Sequence, residues 1–335
     1  LRGPVTGPEP EETRRSLPEP VTAVTDTAGS WLPARMSEVE SGLLGAVQGE
    51  GELSDDAVRT LNAGGKRMRP MLVLLCAGPD AGDAAVRAGI AVELVHMASL
   101  VHDDVLDRAP LRRGIPTVYA SSGRERATSL GDRLFSTAFK VLVEGGDADA
   151  VVEVSATAVD LARGELKQRE GAFNMQLDEE EYFERCGLKT GRLFEAACVL
   201  GRTSTGGDPG PIGEFGHRIG LAFQLLDDVL DIAGPPERTG KARGTDLLDG
   251  TVTLPLIIAA QFDPALAALD LRSLDEETAA IACDRIEATG ALDEVRARAI
   301  ALIEEAKQGL TDAGIEAEQR ELLELIADGV VLRYS

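Results

Sequence analysis

Aromatic residues make up only 4% of this 335-residue chain, and it holds three histidines and one tryptophan. Histidines in three unrelated places do not make a zinc site, and no Ser/His/Asp or Cys/His grouping offers an activated nucleophile. The four cysteines, Cys76, Cys186, Cys198 and Cys283, stand in apolar contexts without Cys-x-x-Cys spacing. That is the pattern of reduced, buried thiols in the cytoplasm, the expected location. Basic residues are outnumbered 34 to 57 by acidic ones, a formal net charge of -23. Such a chain lacks the basic footprint of a nucleic-acid or anionic-membrane binder, so an anionic substrate must meet a local cluster of Lys and Arg, or metal ions. No signal-peptide pattern opens the chain, and its apolar runs fall short of the roughly 18 residues of a membrane span, so no integral membrane segment is expected.

Hydrophobic residues form 44% of the chain, enough for one large core. Residues 1–30 are rich in Pro, Glu, Thr and Gly without apolar periodicity and read as a disordered leader. From Trp31 onward, apolar residues recur at helix spacing over 70–77, 86–104, 127–143, 150–170, 179–186, 193–200, 212–231 and 254–261. Three more amphipathic stretches follow Pro264, the last at 319–334, and alternating β-branched runs are rare. Breaks fall at 145–147, 206–210 and 234–236. The pattern predicts an all-α, single-domain bundle of about a dozen helices around a central cavity, spanning 31–335.

The pentapeptide Asp-Asp-Val-Leu-Asp occurs twice, at 103–107 and 227–231, each time closing an apolar helical run. Residues four apart share a helix face, which pairs Asp103 with Asp107 and Asp227 with Asp231. Two such faces brought together repel unless cations lie between them, and Mg²⁺, which commonly shares its coordination with substrate phosphates, suits carboxylate oxygens. The repeat points to a metal-bridged phosphate or diphosphate site built from two distant helices.

Basic groups accompany the acidic ones. Gly64-Gly65-Lys66-Arg67-Met68-Arg69-Pro70 precedes an apolar helix; its glycines let backbone approach an anion, while Lys66 and Arg69 supply charge. It is no P-loop, since no strand precedes it, and a solvated turn is the plainer alternative. Arg112-Arg113-Gly114 can grip phosphate oxygens or balance the nearby aspartates. A scattered set adds Lys189, Thr190, Gln224 and Lys241. His96 lies seven residues before Asp103 on nearly the same face, placed to donate to a diphosphate; His102 orients an aspartate or packs, and His217 packs.

Taken together, these residues resemble the trans-isoprenyl (polyprenyl) diphosphate synthases over about residues 38–333. The likeness rests on Gly64–Pro70, the first acidic motif with its Arg pair, Gly164-Glu165-Leu166-Lys167-Gln168, Lys189-Thr190-Gly191, the second acidic motif, Gly240-Lys241, Gly244-Thr245-Asp246-Leu247 and the ending 330–333. The resemblance implies a type I isoprenoid-synthase fold and Mg²⁺-dependent head-to-tail prenyl transfer between isopentenyl diphosphate and an allylic diphosphate. It implies three Mg²⁺ ions held by Asp103, Asp107 and Asp227, with Asp104, Asp228 and Asp231 in support. Arg112, Lys189, Thr190, Gln224 and Lys241 would contact the allylic diphosphate. Lys66, Arg69, His96 and Arg113 would form a metal-free isopentenyl diphosphate site. A homodimer is also expected from the resemblance.

One departure stands out. Where the family often reads Gly-Lys-x-Thr-Leu-Pro, this chain has Thr251 at the lysine position of 250–255, and weaker allylic binding or altered closure is expected. Ala98 and Ser99 lie one turn before Asp103 and are small where short-chain members place an aromatic floor. The expected product is therefore longer than C15, leaning to C30 or more, with C20 the alternative if Phe135 or Phe139 forms the floor. A terpene cyclase would need a second metal motif that 227–235 does not match. A non-catalytic partner subunit would carry degraded acidic motifs, and both are intact. A phosphate-binding helical module without chemistry leaves the paired basic sets unexplained.

Overall fold

The computed structural model describes residues 19–234 and 243–332. The chain runs through α1 (Glu19–Ala28), α2 (Trp31–Val47), α3 (Glu52–Asn62), α4 (Met68–Ala77) and α5 (Asp83–Leu106). A small antiparallel hairpin, β1 (Leu111–Arg112) with β2 (Ile115–Pro116), pairs Leu111 with Pro116 and Arg112 with Ile115. Then come α6 (Val118–Ser122), α7 (Arg124–Glu144), α8 (Ala148–Glu170) and α9 (Glu179–Cys186), which passes through a π-helical turn (Gly187–Gly191) into α10 (Arg192–Thr203). The rest is α11 (Gly210–Ala233), α12 (Thr245–Leu248), α13 (Leu254–Phe262), α14 (Pro264–Ala267), α15 (Glu276–Ala288), α16 (Ala291–Gly309) and α17 (Ala317–Leu332). The expected all-α bundle is what forms, with α1, α2, α3 and the short α6, α12 and α14 added to the stretches named from the sequence.

Two helices of 24 residues, α5 and α11, set the frame; at about 1.5 Å per residue each reaches about 36 Å. Both end in an acidic pentapeptide. Helix α5 is apolar on nearly every side, and its small residues Ala85, Ala88, Gly89, Ala91 and Ala98 let α2, α4, α7 and α10 crowd around it. Helix α4 is buried from Pro70 to Ala77, with the proline in the first turn, where its missing N–H leaves no bond unmade. Helix α10 fills the space between α4 and α11, and α16 covers the far side of α11. One core runs through all of these.

Two expectations need correction. Residues 19–28 were read as part of the disordered leader, but they form α1, which lays Val24 (0% exposed) and Ala28 (5%) against α17. Among the residues whose burial is described, Val24 and Ala28 anchor it, too few to stand out in a Pro- and Thr-rich stretch; the leader before residue 19 lies outside the described residues. Nor was any apolar run expected to match a membrane span, yet α5 is long and apolar enough by length and composition, with a mean hydropathy of 1.5 over its best window. Most of that window is buried inside the bundle, so its apolarity is that of a central helix.

The last four carbonyls of a helix lack partners within it, and α4 solves this with a side chain from the other end of the chain. Gln319 Nε2 donates to the carbonyls of Leu75 (2.7 Å) and Cys76 (2.8 Å), tying α17 to α4. We expect Gln319→Ala to lower unfolding free energy by ~1–3 kcal/mol in urea denaturation, the cost of leaving buried acceptors unpaired; a change below 0.5 kcal/mol (roughly the surface-substitution range) would show that the clamp carries no weight.

Candidate active site

The C-terminal ends of α5 and α11 face one cavity of about 300 Å³, whose polar mouth carries Asp103, Asp107, Asp227, Asp228, Arg112 and Lys189. The α5 residues His96, Ser99, Leu100 and Asp103 follow helix spacing along its wall. Burial raises the Asp103 carboxyl to about 6, with Lys189 opposing the rise and Glu165 and Asp107 adding to it. A charge chain organises the neighbours. Asp107 and Glu165 both accept from Arg169, and Glu165 also accepts from the Lys189 ammonium. Burial alone would raise the Glu165 carboxyl, but Lys189 and Arg169 together hold it low.

The six predicted metal-binding aspartates divide. Asp103, Asp107 and Asp227 line the cavity, Asp227 exposed and Asp103 half-buried. Asp104 is buried and accepts from Arg112 Nε at 2.8 Å, so it aims that guanidinium. Asp228, 2% exposed, touches the cavity but accepts from the Tyr182 hydroxyl (2.6 Å) and Gln224 Nε2 (2.7 Å). Burial first, then the Asp246 charge, push it up to about 8. Asp231 lies outside the cavity lining: its Oδ2 accepts from the Asp246 amide at 3.1 Å and its carbonyl from the Gly244 amide at 2.9 Å. These two bonds pin the turn into α12 beside the mouth.

Lys189 and Thr190 sit in the π-helical turn, where one extra residue swings their side chains toward the cavity. Thr190 donates to Gln224 Oε1 at 2.8 Å, so Thr190, Gln224, Asp228 and Tyr182 form one hydrogen-bonded string. Gly164 makes the crossing of α8 possible, since a Cβ there would come within 2.6 Å of the Lys189 amide nitrogen. Lys241 lies outside the described residues.

On the other side of α5 a smaller cavity, about 50 Å³, is lined by Gly64, Arg67, His96, Arg112 and Arg113 and meets the first at His96, Leu100 and Arg112. Arg69 lies with its guanidinium 4.4 Å above the Phe194 ring. Its Nε is buried with no hydrogen-bond partner, and burial, opposed by Glu93, lowers it to about 10. Burial, then the charges of Arg69, Arg113, Arg112 and Arg67, drive the His96 imidazole well below its ordinary range, so it is a neutral ring with one N–H to donate. Lys66 is exposed at the loop tip. The Arg113 guanidinium lies so close to Gly65 that a Cβ there would meet Nη1 at 3.2 Å. Of the four residues expected together, His96 and Arg113 line the smaller cavity, Arg69 lines the larger one beside His96, and Lys66 lines neither. Ser99 lines the large cavity, whereas Ala98, paired with it in the sequence reading, is 0% exposed in the core behind the wall. His102 turns away, Nε2 facing the Thr128 carbonyl and Asp132 at 3.3 Å each, and His217 meets Glu195 at 3.2 Å.

The sequence reading passed over Arg67, Arg169 and Tyr182. Arg67, left-handed at φ 49°, caps the start of α4 and binds Glu40 (2.6 Å), Glu93 (2.9 Å) and the Leu61 carbonyl (3.1 Å). Its partners come from α2, α5 and α3, so local pattern gave no sign of it. Divalent cations fit the facing carboxylates by donor chemistry: Asp103, Asp107 and Asp227 offer hard oxygens on both sides of one cavity. Among the described residues no group of three His, Cys, Asp or Glu closes on a single point, so phosphate oxygens and water would complete any Mg²⁺ shell.

Comparison with known proteins gives the family. The family model described as polyprenyl synthetase matches residues 51–282. Heptaprenyl diphosphate synthase component 2 of Geobacillus stearothermophilus is 40% identical over 247 residues, covering 72% of this chain and 77% of that protein. The short chain isoprenyl diphosphate synthase of Methanothermobacter thermautotrophicus is 36% identical over 286 residues, covering 82% and 88%. A crystal structure of polyprenyl synthase from Caulobacter crescentus CB15, complexed with calcium and isoprenyl diphosphate, superposes with a TM-score of 0.87 at 33% identity, covering 94% of this chain and 98% of that one. This chain belongs to the polyprenyl synthetase family and is a trans-prenyltransferase of all-α fold.

Arg67 provides a test of how the start of α4 is held. Glu93 is 4% exposed, and Arg67→Met leaves that carboxylate without its partner, which should cost ~3–5 kcal/mol in denaturant unfolding. The double variant Arg67→Met/Glu93→Leu should recover most of the loss, and an equal loss in both would show that the ion pair is not what fails.

Proposed function

We propose that this enzyme condenses isopentenyl diphosphate head-to-tail with an allylic diphosphate, using Mg²⁺. The observation that carries the reading is the pair of unlike anion sites meeting along α5. One side is carboxylate-rich with Lys189 and Arg112, and Arg69, whose buried Nε no protein group satisfies, lines that same cavity; the other gathers Arg59, Arg67, Arg112, Arg113 and His96, its two acids Glu93 and Asp104 being paired with Arg67 and Arg112. Two diphosphates need such a division, because only the leaving one must be pulled away with a metal.

Asp103, Asp107 and Asp227 would hold the ions, three by family likeness, and Arg112, Lys189 and Lys241 would contact the allylic diphosphate. Held by these aspartates, Mg²⁺ would stabilise the charge on the departing pyrophosphate. The allylic C–O bond breaks with its electron pair going to pyrophosphate, leaving a resonance-spread allylic cation. The isopentenyl double bond then forms the new C–C bond, and a proton leaves the adjacent carbon, with the pyrophosphate as its acceptor. Arg69, His96, Lys66 and Arg113 fix the isopentenyl diphosphate, and no protein nucleophile is required.

The apolar part of the cavity wall, Leu100, Leu161, Leu193 and Phe223, would take the growing chain. Ser99 narrows it little, and neither Phe135 nor Phe139 is among its lining residues, which supports a product longer than C15, leaning to C30 or more. We further propose that the enzyme works in the cytoplasm, where its four buried free thiols would stay reduced, and as a homodimer. In support of the dimer, α8 exposes Val152 (68%), Val159 (58%) and Leu166 (61%) one heptad apart. The relative named as a component 2 favours a second reading, in which that stripe meets a different chain.

Three measurements test these proposals. Purified protein with labelled isopentenyl diphosphate, Mg²⁺ and C5, C10, C15 or C20 primers should give an EDTA-sensitive ladder ending at C30 or beyond, and no elongation from any primer would overturn the enzyme reading. Ser99→Phe should shorten the final product, as sized by chromatography after dephosphorylation. In sedimentation velocity the wild type should run as a dimer and Val159→Glu as a monomer; a monomeric wild type would favour the two-component reading.

A further inference from the structure

The lysine missing at position 251 leaves the diphosphate end of the cavity short of one cation, and a buried guanidinium lies beside the gap. Arg185, in the last turn of α9, is 4% exposed. Its Nη2 donates to the Val252 carbonyl at 2.9 Å, the residue between Thr251 and Thr253. Arg185, Thr251, Thr253 and Asp228 all line the large cavity. Two of these groups lack partners: Arg185 Nη1 and Thr253 Oγ1 are both buried and unbonded. The guanidinium rests on the Tyr182 ring, 5.2 Å from its centroid, and that tyrosine's hydroxyl is committed to Asp228.

A buried charge with an unused N–H is costly unless an anion completes it. Arg185 makes no salt bridge among the described residues: it donates to the neutral Val252 carbonyl, also meets the Cys186 thiol, and feels the Asp228 charge only at longer range. Sequence alone hid it, because it falls in the run Glu-Glu-Glu-Tyr-Phe-Glu-Arg-Cys of 179–186, which reads as a solvated charged face. We propose that Arg185 replaces the absent lysine, as a fixed positive charge beneath the 251–253 segment that binds the allylic diphosphate, with the Thr253 hydroxyl beside it. The weaker allylic binding expected from Thr251 is offset from below. Arg185 thus discriminates between the two substrates, acting on the metal-bound diphosphate and not on the isopentenyl one beyond α5.

This inference rests on the prenyl-transfer reading, and the test separates the two. Arg185→Met, Thr251→Lys and the double variant are compared with wild type in steady-state kinetics against each substrate, and in calorimetric titration with inorganic pyrophosphate and Mg²⁺. Arg185→Met should raise the allylic KM and the pyrophosphate Kd about tenfold, the loss of one charge-assisted bond, with the isopentenyl KM unchanged. Adding Thr251→Lys to it should restore both, which a merely structural arginine would not allow, while Thr251→Lys alone should change them less than about twofold. An unchanged allylic KM in Arg185→Met, or a loss shared by both substrates and not rescued by lysine, would overturn the proposal. If circular dichroism shows Arg185→Met unfolded, Thr251→Lys decides: a tenfold fall in allylic KM would mean that the site lacked a cation, against the proposal (about 1.4 kcal/mol). A wild type that elongates no primer defeats the functional reading itself.

Discussion

Carboxylates that face one another across a cavity repel, and an anion entering between them is repelled again. Neutralising that charge is the constraint on which the rest of this architecture depends. A chain with a formal charge of -23 meets it by sorting its acids. Some are left facing the cavity, where a divalent cation would be drawn to them. Others are spent within the protein, each fixing a donor: Asp104 aims Arg112, Glu165 holds Lys189 and Arg169, and Asp228 holds Tyr182 and Gln224.

The bundle's packing serves that sorting. The small residues of α5 let four helices close around it, and this fixes where its acidic C-terminal turn lies. The π-helical turn after α9 performs a different task, since it rotates Lys189 and Thr190 toward α11 without ending the helix. On the opposite side Arg67 clamps three helices, so that Arg69 and His96 keep their places in a site crowded with positive charge. Burial makes each of these interactions stronger and each missing partner more expensive.

Sequence periodicity located most of the long helices to within about three residues at each end, because their apolar faces repeat over several turns. It also found both acidic motifs and the basic loop, since these are contiguous. It was blind to rotation: spacing could not tell that Ala98 points into the core while its neighbour Ser99 faces the cavity, or that Asp231 turns from the mouth to pin the 244–246 backbone. Nor could it see partners far apart in the chain, such as Gln319 with Leu75 or Arg67 with Glu40. The hairpin at Leu111–Pro116 has two residues per strand, too few for alternation to register. Helix α1 was missed because it leans on a distant surface and carries little apolar pattern of its own.

Both acidic pentapeptides occupy the C-terminal turns of 24-residue helices. Aligned peptide dipoles place about half a negative elementary charge at such an end. Two of these ends converge on one cavity, so the backbone itself adds a cation-attracting field that no carboxylate substitution removes. A bare anion approaching the mouth climbs that field, and each divalent cation held there flattens it. The backbone's share of the attraction persists at a pH low enough to protonate the carboxylates, so the pull on a cation at this end does not rest on side chains alone.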